Sequence, residues 1–281
     1  MHQHLGFLKI NEYPLMVIPF TKYQGAGNDF VILNQWQSPY INREDTAAIA
    51  HLCDRRFGVG ADGLMFLRKH TDHDFEMIYF NADGRIGSMC GNGGRCIVAF
   101  AYLLGLIGNE TTFLAIDGPH EARIIRPDWV ELKMQDVVAV EQGEQDFFLD
   151  TGSPHYVRFV KELSVVDVVK EGQEVRYSDR FREKGTNVNF VERGTPGLRI
   201  GTYERGVENE TLACGTGITA AALVSTFLPK GTPQAGAGPY SIPVSAKGGD
   251  LEVRFARKGE RFSDIWLCGP ATRVFSGEIE I

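Results

Sequence analysis

The sequence has no cluster of basic residues. Its 29 lysines and arginines are spread among 36 aspartates and glutamates, and the formal net charge at pH 7 is −7. Proteins that bind nucleic acid by neutralising phosphates need a basic surface. We therefore expect no nucleic-acid partner. With 43% hydrophobic residues over 281 positions, the chain can bury one or two cores.

The chain also lacks the uninterrupted apolar run of roughly 20 residues that a membrane helix requires, so we expect no membrane partner. Residues 1–15 are broken by charged residues and a proline, unlike the continuous apolar region of a signal peptide. We interpret them as an N-terminal extension. Met1 and Met16 are both possible starts, because strand-like sequence begins directly after Met16.

Paired cysteines are absent as well. The chain has an odd number of cysteines, none in a C-x-x-C arrangement, which disfavours a disulfide framework. We expect reduced thiols and a cytoplasmic location. The five cysteines are Cys53, Cys90, Cys96, Cys214 and Cys268.

No motif for pyridoxal phosphate, a metal or a nucleotide is found, so no cofactor is expected. The glycine-rich residues 58–63 follow a predicted helix and run into strand-like sequence, which is the wrong context for a dinucleotide loop. A zinc site built from Cys90, Cys96 and Cys214 is disfavoured because the glycines around these cysteines suit an anion better than a cation.

What the chain does contain is an internal repeat. Residues 90–93 (CGNG) and 214–217 (CGTG) each open an apolar run, and each follows a polar, glycine-containing turn. Weaker matches pair residues 27–31 with 152–157, and 115–118 with 246–249. Two homologous halves that join near residues 136–150 are the simplest account.

Each half is predicted to hold many strands and one main helix. Short β-like runs separated by Gly, Asn and Asp predict the strands. The helices, at about residues 92–104 and 216–228, are apolar on almost every face, which indicates burial inside a domain, and Gly105 and Pro229 would end them. Additional surface helices are predicted at residues 43–54 and about 161–171.

Each Cys-Gly-x-Gly motif ends a loop and opens a buried helix. The first N–H groups of a helix have no partner within it, and with the helix dipole they stabilise an anion. A cysteine at this position can therefore have a lowered thiol pKa and act as a base near neutral pH. The same N–H groups can hold a carboxylate, which the glycines allow to approach closely.

Two related halves facing each other across a cleft would direct both helix starts at one ligand. One thiolate would remove a proton from one face of an α-carbon, and the opposite thiol would return a proton to the other face. We therefore hypothesise that Cys90 and Cys214 invert an α-carbon without a cofactor. The sequence leaves open which of them begins as the thiolate. Oxidation of the pair to a disulfide would inactivate the protein.

A polar pair, Glu204 and Arg205, lies on a turn expected near Cys214. Arg205 can hold a carboxylate through two parallel hydrogen bonds. Glu204 and His155 are candidates for tuning the thiols or receiving their protons. The three other cysteines lie in apolar or strand-like sequence, and we interpret them as packing residues.

Five motifs together closely resemble those of the diaminopimelate epimerase family. They occur in the order that the family has, and the likeness runs from about residue 17 to residue 271. The motifs are residues 25–31 (GAGNDFV), 80–84 (FNADG), 89–96 (MCGNGGRC), 203–206 (YERG) and 213–217 (ACGTG).

The resemblance implies an α+β fold of two pseudo-symmetric domains, each a curled, mostly antiparallel β-sheet or barrel around a central buried helix. The last strand would return to the first domain, so the halves would be residues 16–135 plus 269–281, and 136–268. The implied reaction interconverts LL- and meso-diaminopimelate on the route to lysine and peptidoglycan. A homodimer is implied too, with Phe275 near the position of an interface tyrosine.

The resemblance also assigns roles to individual residues. Cys90 and Cys214 would be the two acid–base thiols, which His155 and Glu204 would adjust. No metal or cofactor is implied. The small-molecule amino-acid substrate would be bound by Asn28, Asn81, Gly91, Asn92, Asn187, Glu204, Arg205, Gly215 and Thr216.

The sequence departs from the commonest family pattern at three places. Gly63 stands where many members have glutamine, and Ser153 stands where many have asparagine; both positions contact the substrate in the family. Residues 206–210 form a loop one residue longer than in some members. Because both cysteines and the Glu-Arg pair are intact, the predicted reaction is unchanged.

Two alternatives stay open. Proline and hydroxyproline racemases typically carry histidine where Asn92 stands, and the Glu-Arg pair also argues against them. A non-catalytic or redox-regulated amino-acid-binding protein of the same fold would bind its ligand without exchanging the α-proton. Exchange of that proton therefore separates the enzyme from the binding protein.

Overall fold

The computed structural model describes residues 16–228 and 239–281. The predicted N-terminal extension and Pro229 lie outside the described residues. The described part is mostly β-sheet, with a few helices. In chain order its elements are β1 (Val17–Gly25), β2 (Asn28–Asn34), α1 (Thr46–Cys53), β3 (Gly63–Arg68), β4 (Phe75–Asn81), α2 (Gly91–Leu103), β5 (Glu110–Ala115), β6 (Gly118–Arg126), β7 (Trp129–Lys133), β8 (Glu141–Gln142), β9 (Asp146–Asp150), β10 (Pro154–Val160), α3 (Val168–Arg176), β11 (Asn187–Arg193), β12 (Leu198–Glu204), β13 (Asn209–Thr211), α4 (Gly215–Ser225), β14 (Tyr240–Ala246), β15 (Gly249–Lys258), β16 (Arg261–Pro270) and β17 (Thr272–Glu280).

Both predicted central helices are present as α2 and α4, but α4 is shorter than predicted. It ends at Ser225. Beyond it, the N–H groups of Thr226 and Phe227 donate to the carbonyls three residues back, which is the tighter 3₁₀ pattern. The surface helix predicted at 161–171 is a 3₁₀ turn, Leu163–Val165, followed by α3.

The two halves have the same strand order and the same pairing directions. From β1 to β7, successive neighbours pair antiparallel, parallel, antiparallel, parallel, antiparallel and antiparallel. The series β9, β10, β11, β12, β14, β15 and β16 repeats this order of directions. Each parallel pair is connected through a helix, as parallel connections require. This repetition supports an internal duplication.

The two series join edge to edge. β7 pairs antiparallel with β16, with Leu132 opposite Leu267, so the strands form one continuous sheet that is curled and not closed. β17 returns to the first half and pairs antiparallel with β1. The predicted match between 115–118 and 246–249 is confirmed, because both segments form the turn between two antiparallel strands.

Each central helix is enclosed by its own half of the sheet. α2 is buried from Asn92 to Ala101, and α4 is buried from Gly217 to Ser225. Small residues allow this close packing: a Cβ added at Gly93 would lie only 3.2 Å from Sδ of Met65. Among the described residues, no helix is both long and apolar enough to cross a membrane. Each half of the sheet thus holds its central helix in place, while the helix starts at Gly91 and Gly215 stay partly exposed.

Candidate active site

Cys90 and Cys214 occupy equivalent positions at the starts of α2 and α4. Each is the N-cap residue with extended backbone, at φ −109° and ψ 122° for Cys90 and φ −108° and ψ 109° for Cys214. No side chain caps either helix. The N–H groups of both first turns can therefore receive an anion.

The two helix starts lie against each other. A Cβ added at Gly215 would be 3.9 Å from Cα of Gly91 and 2.8 Å from Cδ2 of Leu267. A side chain at position 215 would therefore clash with Leu267, which lies beside both helix starts. The two thiols are close enough that charge on Cys90 raises the pKa of Cys214.

Burial raises the pKa of both thiols. For Cys90, N–H groups of the first turn of α2 oppose the rise. For Cys214, burial and then the nearby Glu204 raise the pKa to about 12, against the Thr216 hydroxyl. The sequence-based expectation of a lowered thiol pKa is therefore wrong in its net direction. The N–H groups at the helix starts lower the thiol pKa as expected, but burial of the sulfur away from water raises it by more.

Glu204, the last residue of β12, lies where its charge acts on both cysteines. Burial raises the pKa of its carboxyl group. Among the described residues, Glu204 takes part in no ion pair within 4.0 Å. A half-buried carboxylate without a cation is suited to receive a ligand's ammonium group.

Arg205 follows Glu204 and its side chain is exposed. Its backbone N–H donates to Oδ1 of Asn187 (2.9 Å), and its Nη1 donates to the carbonyl of Lys184 (2.9 Å). Within residues 16–228 and 239–281 its guanidinium pairs with no carboxylate. It is thus held in place and remains available for the carboxylate of a ligand.

Asn187, at the start of β11, holds this turn. While its Oδ1 accepts from Arg205, its Nδ2 donates to Oγ of Ser153 (2.9 Å) and to the carbonyl of Pro154 (3.0 Å). Ser153 is one of the positions that depart from the family pattern. In this chain its hydroxyl supports Asn187.

A chain of hydrogen bonds reaches Cys214 from β10 and β11. Asn189 donates through Nδ2 to the carbonyl of Tyr156 (2.8 Å), which fixes its amide orientation, and to Nδ1 of His155 (3.1 Å). His155 therefore carries its proton on Nε2, which lies 2.9 Å from Oγ1 of Thr216. That hydroxyl, 3.4 Å from Sγ of Cys214, is left to donate to the sulfur. Sequence analysis missed Asn189.

His155 is expected to make the protein less stable in acid. Burial, and then the charge of Arg205, lower its pKa from 6.5 to about 3. Between these values the unfolded chain binds a proton that the folded chain does not, so stability falls as the pH falls, by about 1.4 kcal/mol per pH unit. Between pH 7 and pH 4.5, the free energy of unfolding measured in urea should fall by about 2 kcal/mol more in the wild type than in His155→Gln. Equal losses in both proteins would contradict a neutral buried His155.

In the first half, Asn92 connects the two halves. Its Nδ2 donates to Oδ1 of Asn28 (2.6 Å) and to the carbonyl of Ala213 (3.1 Å), the residue before Cys214. Asn28 in turn donates to Asp62 (3.1 Å). Asn81 is exposed at the end of β4, and its side-chain amide makes no hydrogen bond to another described residue.

Gly63 departs from the family pattern for a steric reason. A Cβ at this position would lie 2.5 Å from Cε2 and 2.7 Å from Oη of Tyr79, and 2.6 Å from the carbonyl of Phe80. The tyrosine ring thus occupies the space that a side chain at position 63 would need. Its hydroxyl is near the first thiol, because charge on Cys90 raises the pKa of Tyr79.

Gly63→Ala is therefore expected to destabilise the fold by about 1–3 kcal/mol, as overpacking does. Denaturant unfolding measures this loss. Gly108→Ala is the matched control, because a Cβ at Gly108 would meet no atom within 4 Å. If both variants unfold at the same denaturant concentration, Tyr79 does not fill the space beside Gly63.

None of the other three cysteines lies at a helix start: Cys53 ends α1, Cys96 is inside α2 and Cys268 is in β16. Cys53, Cys96 and Cys268 are buried, with exposed fractions of 3%, 0% and 0%, as expected of packing residues. Within the described parts of the chain, no group of three or more His, Cys, Asp or Glu side chains has the arrangement of a metal site.

The fold defines a structural class with two pseudo-symmetric domains. Solved structures of this class include a phenazine biosynthesis protein of the PhzF family from Bacillus anthracis, at 13% identity and a TM-score of 0.70, covering 94% of this chain and 99% of that one. Another is a probable proline racemase from Agrobacterium radiobacter K84, at 15% identity and a TM-score of 0.64, covering 93% of this chain and 92% of that one. At these identities the likeness concerns the fold.

Sequence relatives define the family more narrowly. The family model described as diaminopimelate epimerase matches residues 20–140 and 147–274. Proteins named diaminopimelate epimerase from Flavobacterium psychrophilum and Chlorobaculum tepidum are 47% and 42% identical, over 92% of this chain and 98% and 99% of their own lengths. The chain belongs to the diaminopimelate epimerase family, and it is an amino-acid epimerase.

Proposed function

We propose that this chain converts LL-2,6-diaminopimelate to the meso isomer by a two-base mechanism in which Cys90 and Cys214 are the acid–base groups. The observation that carries the proposal is the pair of thiols at two adjacent helix starts with no side-chain cap. Relatives of the named activity cover nearly the whole chain and support the substrate.

The reacting carboxylate would lie between the two helix starts. The backbone N–H groups of Gly91, Asn92, Gly215 and Thr216 belong to the first turns of α2 and α4, whose starts lie against each other. Hydrogen bonds from both sides would stabilise the negative charge that the carboxylate takes up as the α-carbon loses its proton.

The proton transfers balance between the two sulfur atoms. One cysteine, as thiolate, takes the α-proton; the C–H bond breaks and its electron pair stays on the α-carbon. The opposite cysteine, as thiol, then gives its proton to the other face, and the configuration is inverted. The product leaves with thiol and thiolate exchanged, so the reverse reaction begins from that state.

Polar groups around the cleft would orient the substrate. Glu204 would bind the ammonium group of the reacting centre, and Arg205 would bind the distant carboxylate, with Asn28, Asn81 and Asn187 as further contacts. Through Thr216, His155 would adjust Cys214, because the bonded hydroxyl stabilises the thiolate more than the thiol.

We also propose the biological setting that the family implies: a reducing cytoplasm, and the supply of lysine and peptidoglycan precursors. All five cysteines are free. The repeated strand order supports halves of residues 16–135 plus 269–281, and 136–268. A homodimer through β17 is supported by the exposed Val274 and Phe275 on that strand.

The test is incubation of freshly reduced protein with LL-diaminopimelate and no added cofactor, followed by chromatographic separation of the isomers. The proposal predicts that the meso isomer accumulates to equilibrium from LL, and that LL forms from meso. No conversion by protein whose thiols titrate as free would reject it, and proline and hydroxyproline would then be the substrates to examine.

A further inference from the structure

Arg95 is a buried charge without an anion beside it. Its side chain is 0% exposed and lies in α2, five residues after Cys90. Its nitrogens donate to the carbonyls of Gly91 (3.1 Å) and Pro270 (3.5 Å) and to Oδ1 of Asn92 (2.8 Å), all uncharged groups. Within residues 16–228 and 239–281, no ion pair includes Arg95. Because a guanidinium keeps its proton, this charge needs compensation from an anion nearby.

The ionisable groups around Arg95 are the thiols of Cys96, Cys90 and Cys268. Burial raises the pKa of Cys96 to about 12 and that of Cys268 to about 11. Both are fully enclosed, whereas Cys90 is partly exposed at a helix start whose N–H groups favour its thiolate. Of the three thiols, Cys90 is the one that is partly exposed and lies at a helix start.

The second half has no such charge. The residue five positions after Cys214 is Thr219, which is also 0% exposed. Its Oγ1 donates to the carbonyl of Gly215 (3.0 Å), just as Nη1 of Arg95 donates to Gly91. The duplication has therefore kept one hydrogen bond and placed a cation beneath only one of the two thiols.

The remaining charges around the thiols do not offset this difference. Cys90 is faced by Glu204 from β12, by Tyr79 from β4 and by Cys214 from α4. Cys214 is faced by the same Glu204 and by Cys90. The carboxylate thus disfavours both thiolates, while Arg95 favours the Cys90 thiolate.

We propose that the buried guanidinium of Arg95 makes Cys90 the more acidic of the two thiols, and hence the base in the resting protein. This inference rests on the proposed function. Because Cys90 is then already the thiolate in the free protein, it removes the first α-proton from the substrate isomer that presents its proton to Cys90. Catalysis in the other direction requires the thiolate to be on Cys214. Arg95 acts through Cys90 and is a positioning residue.

The test is the pH dependence of thiol alkylation, resolved by peptide mass spectrometry. In Cys214→Ser the inflection reports Cys90, and in Cys90→Ser it reports Cys214. We expect the Cys90 inflection to lie lower by at least about one pH unit, a tenfold difference in ionisation. Because the inflection and not the rate is compared, unequal exposure of the two thiols does not affect the result.

Substitutions at Arg95 in the Cys214→Ser background complete the test. Arg95→Met is expected to move the Cys90 inflection upward by at least about one pH unit, and Arg95→Lys, which keeps the charge, to restore most of the shift. Thr219→Val, in Cys90→Ser, is the matched control and should leave the Cys214 inflection in place.

The proposal is overturned if Cys214 ionises at or below the pH of Cys90, or if folded Arg95→Met leaves the Cys90 inflection unchanged. If Arg95→Met fails to fold, the comparison of Cys214→Ser with Cys90→Ser still tests whether Cys90 is the more acidic thiol, since both variants retain Arg95. No substrate is used, so a failure to epimerise diaminopimelate would leave this result standing and would reject only the proposed function.

Discussion

Replacing either Cys90 or Cys214 by alanine is expected to abolish epimerisation while the protein stays folded. Each thiol is the proton carrier on one face of the α-carbon, and neither can reach the other face. Acid–base groups contribute about 10²–10⁴-fold each, so we expect each single variant to lose at least about 10³-fold in turnover. Isomer separation after incubation with LL-diaminopimelate measures turnover, and circular dichroism checks the fold.

Cys53→Ala is the matched control for this prediction. Cys53 ends α1 and packs in a separate apolar cluster on the outer side of the first half. Its loss should lower the free energy of unfolding by about 1–2 kcal/mol, as small core deletions do, and leave turnover unchanged. Full activity in either alanine variant of the pair would rule out the two-base mechanism.

Arg205→Met should give the second largest loss, about 10²–10³-fold in kcat/KM for diaminopimelate, because two charge-assisted hydrogen bonds to a carboxylate are worth about 3–4 kcal/mol. The side chain is exposed and pairs with no carboxylate in the described part of the chain. The melting temperature should therefore hardly change. Steady-state kinetics measure the effect.

Two further variants define what Arg205 contributes. Arg205→Lys keeps the charge but loses the planar pair of donors, and it should fall between the wild type and Arg205→Met. Arg182→Met is the control, since Arg182 is an exposed arginine whose ion pair with Asp179 lies at the surface. If Arg205→Met and Arg182→Met have equal kcat/KM, Arg205 does not bind the substrate.

The duplication explains why so much of this architecture is visible in the sequence. The two Cys-Gly-x-Gly segments and their preceding turns are local patterns, and a local pattern indicates where a helix starts and which residue types stand there. The central helices and the match between 115–118 and 246–249 were predicted from such patterns; that both segments are turns comes from the structure. The Glu-Arg turn was likewise expected near Cys214, and the charge of Glu204 does act on that thiol.

Contacts between distant segments were not predictable in this way. The chain from Asn189 through His155 and Thr216 to Cys214 joins β11, β10 and α4, and it depends on which strands are neighbours. One signal was present: Asn187 and Asn189 alternate with the apolar Val188 and Phe190 at the start of β11. Alternation of this kind indicates a buried polar face but not its partners.

The thiol pKa values show a second limit. Sequence analysis gave the helix-start contribution its correct direction, but the net pKa depends on how much water the folded protein removes from the sulfur. That quantity is set by the close approach of Gly91 and Gly215 and by Leu267, which lies between the helix starts. No local sequence pattern predicts how far the sulfur is removed from water.

The most direct test of the two-base mechanism is proton NMR of the first turnovers of LL-diaminopimelate in D₂O with freshly reduced protein. If one thiol removes the α-proton and the other returns a solvent-derived one, the meso product carries deuterium from the start, while the remaining LL substrate keeps its proton. If the early product instead retains the substrate's own α-proton, a single base carries it between the faces, and the assignment of Cys90 and Cys214 to opposite faces is wrong.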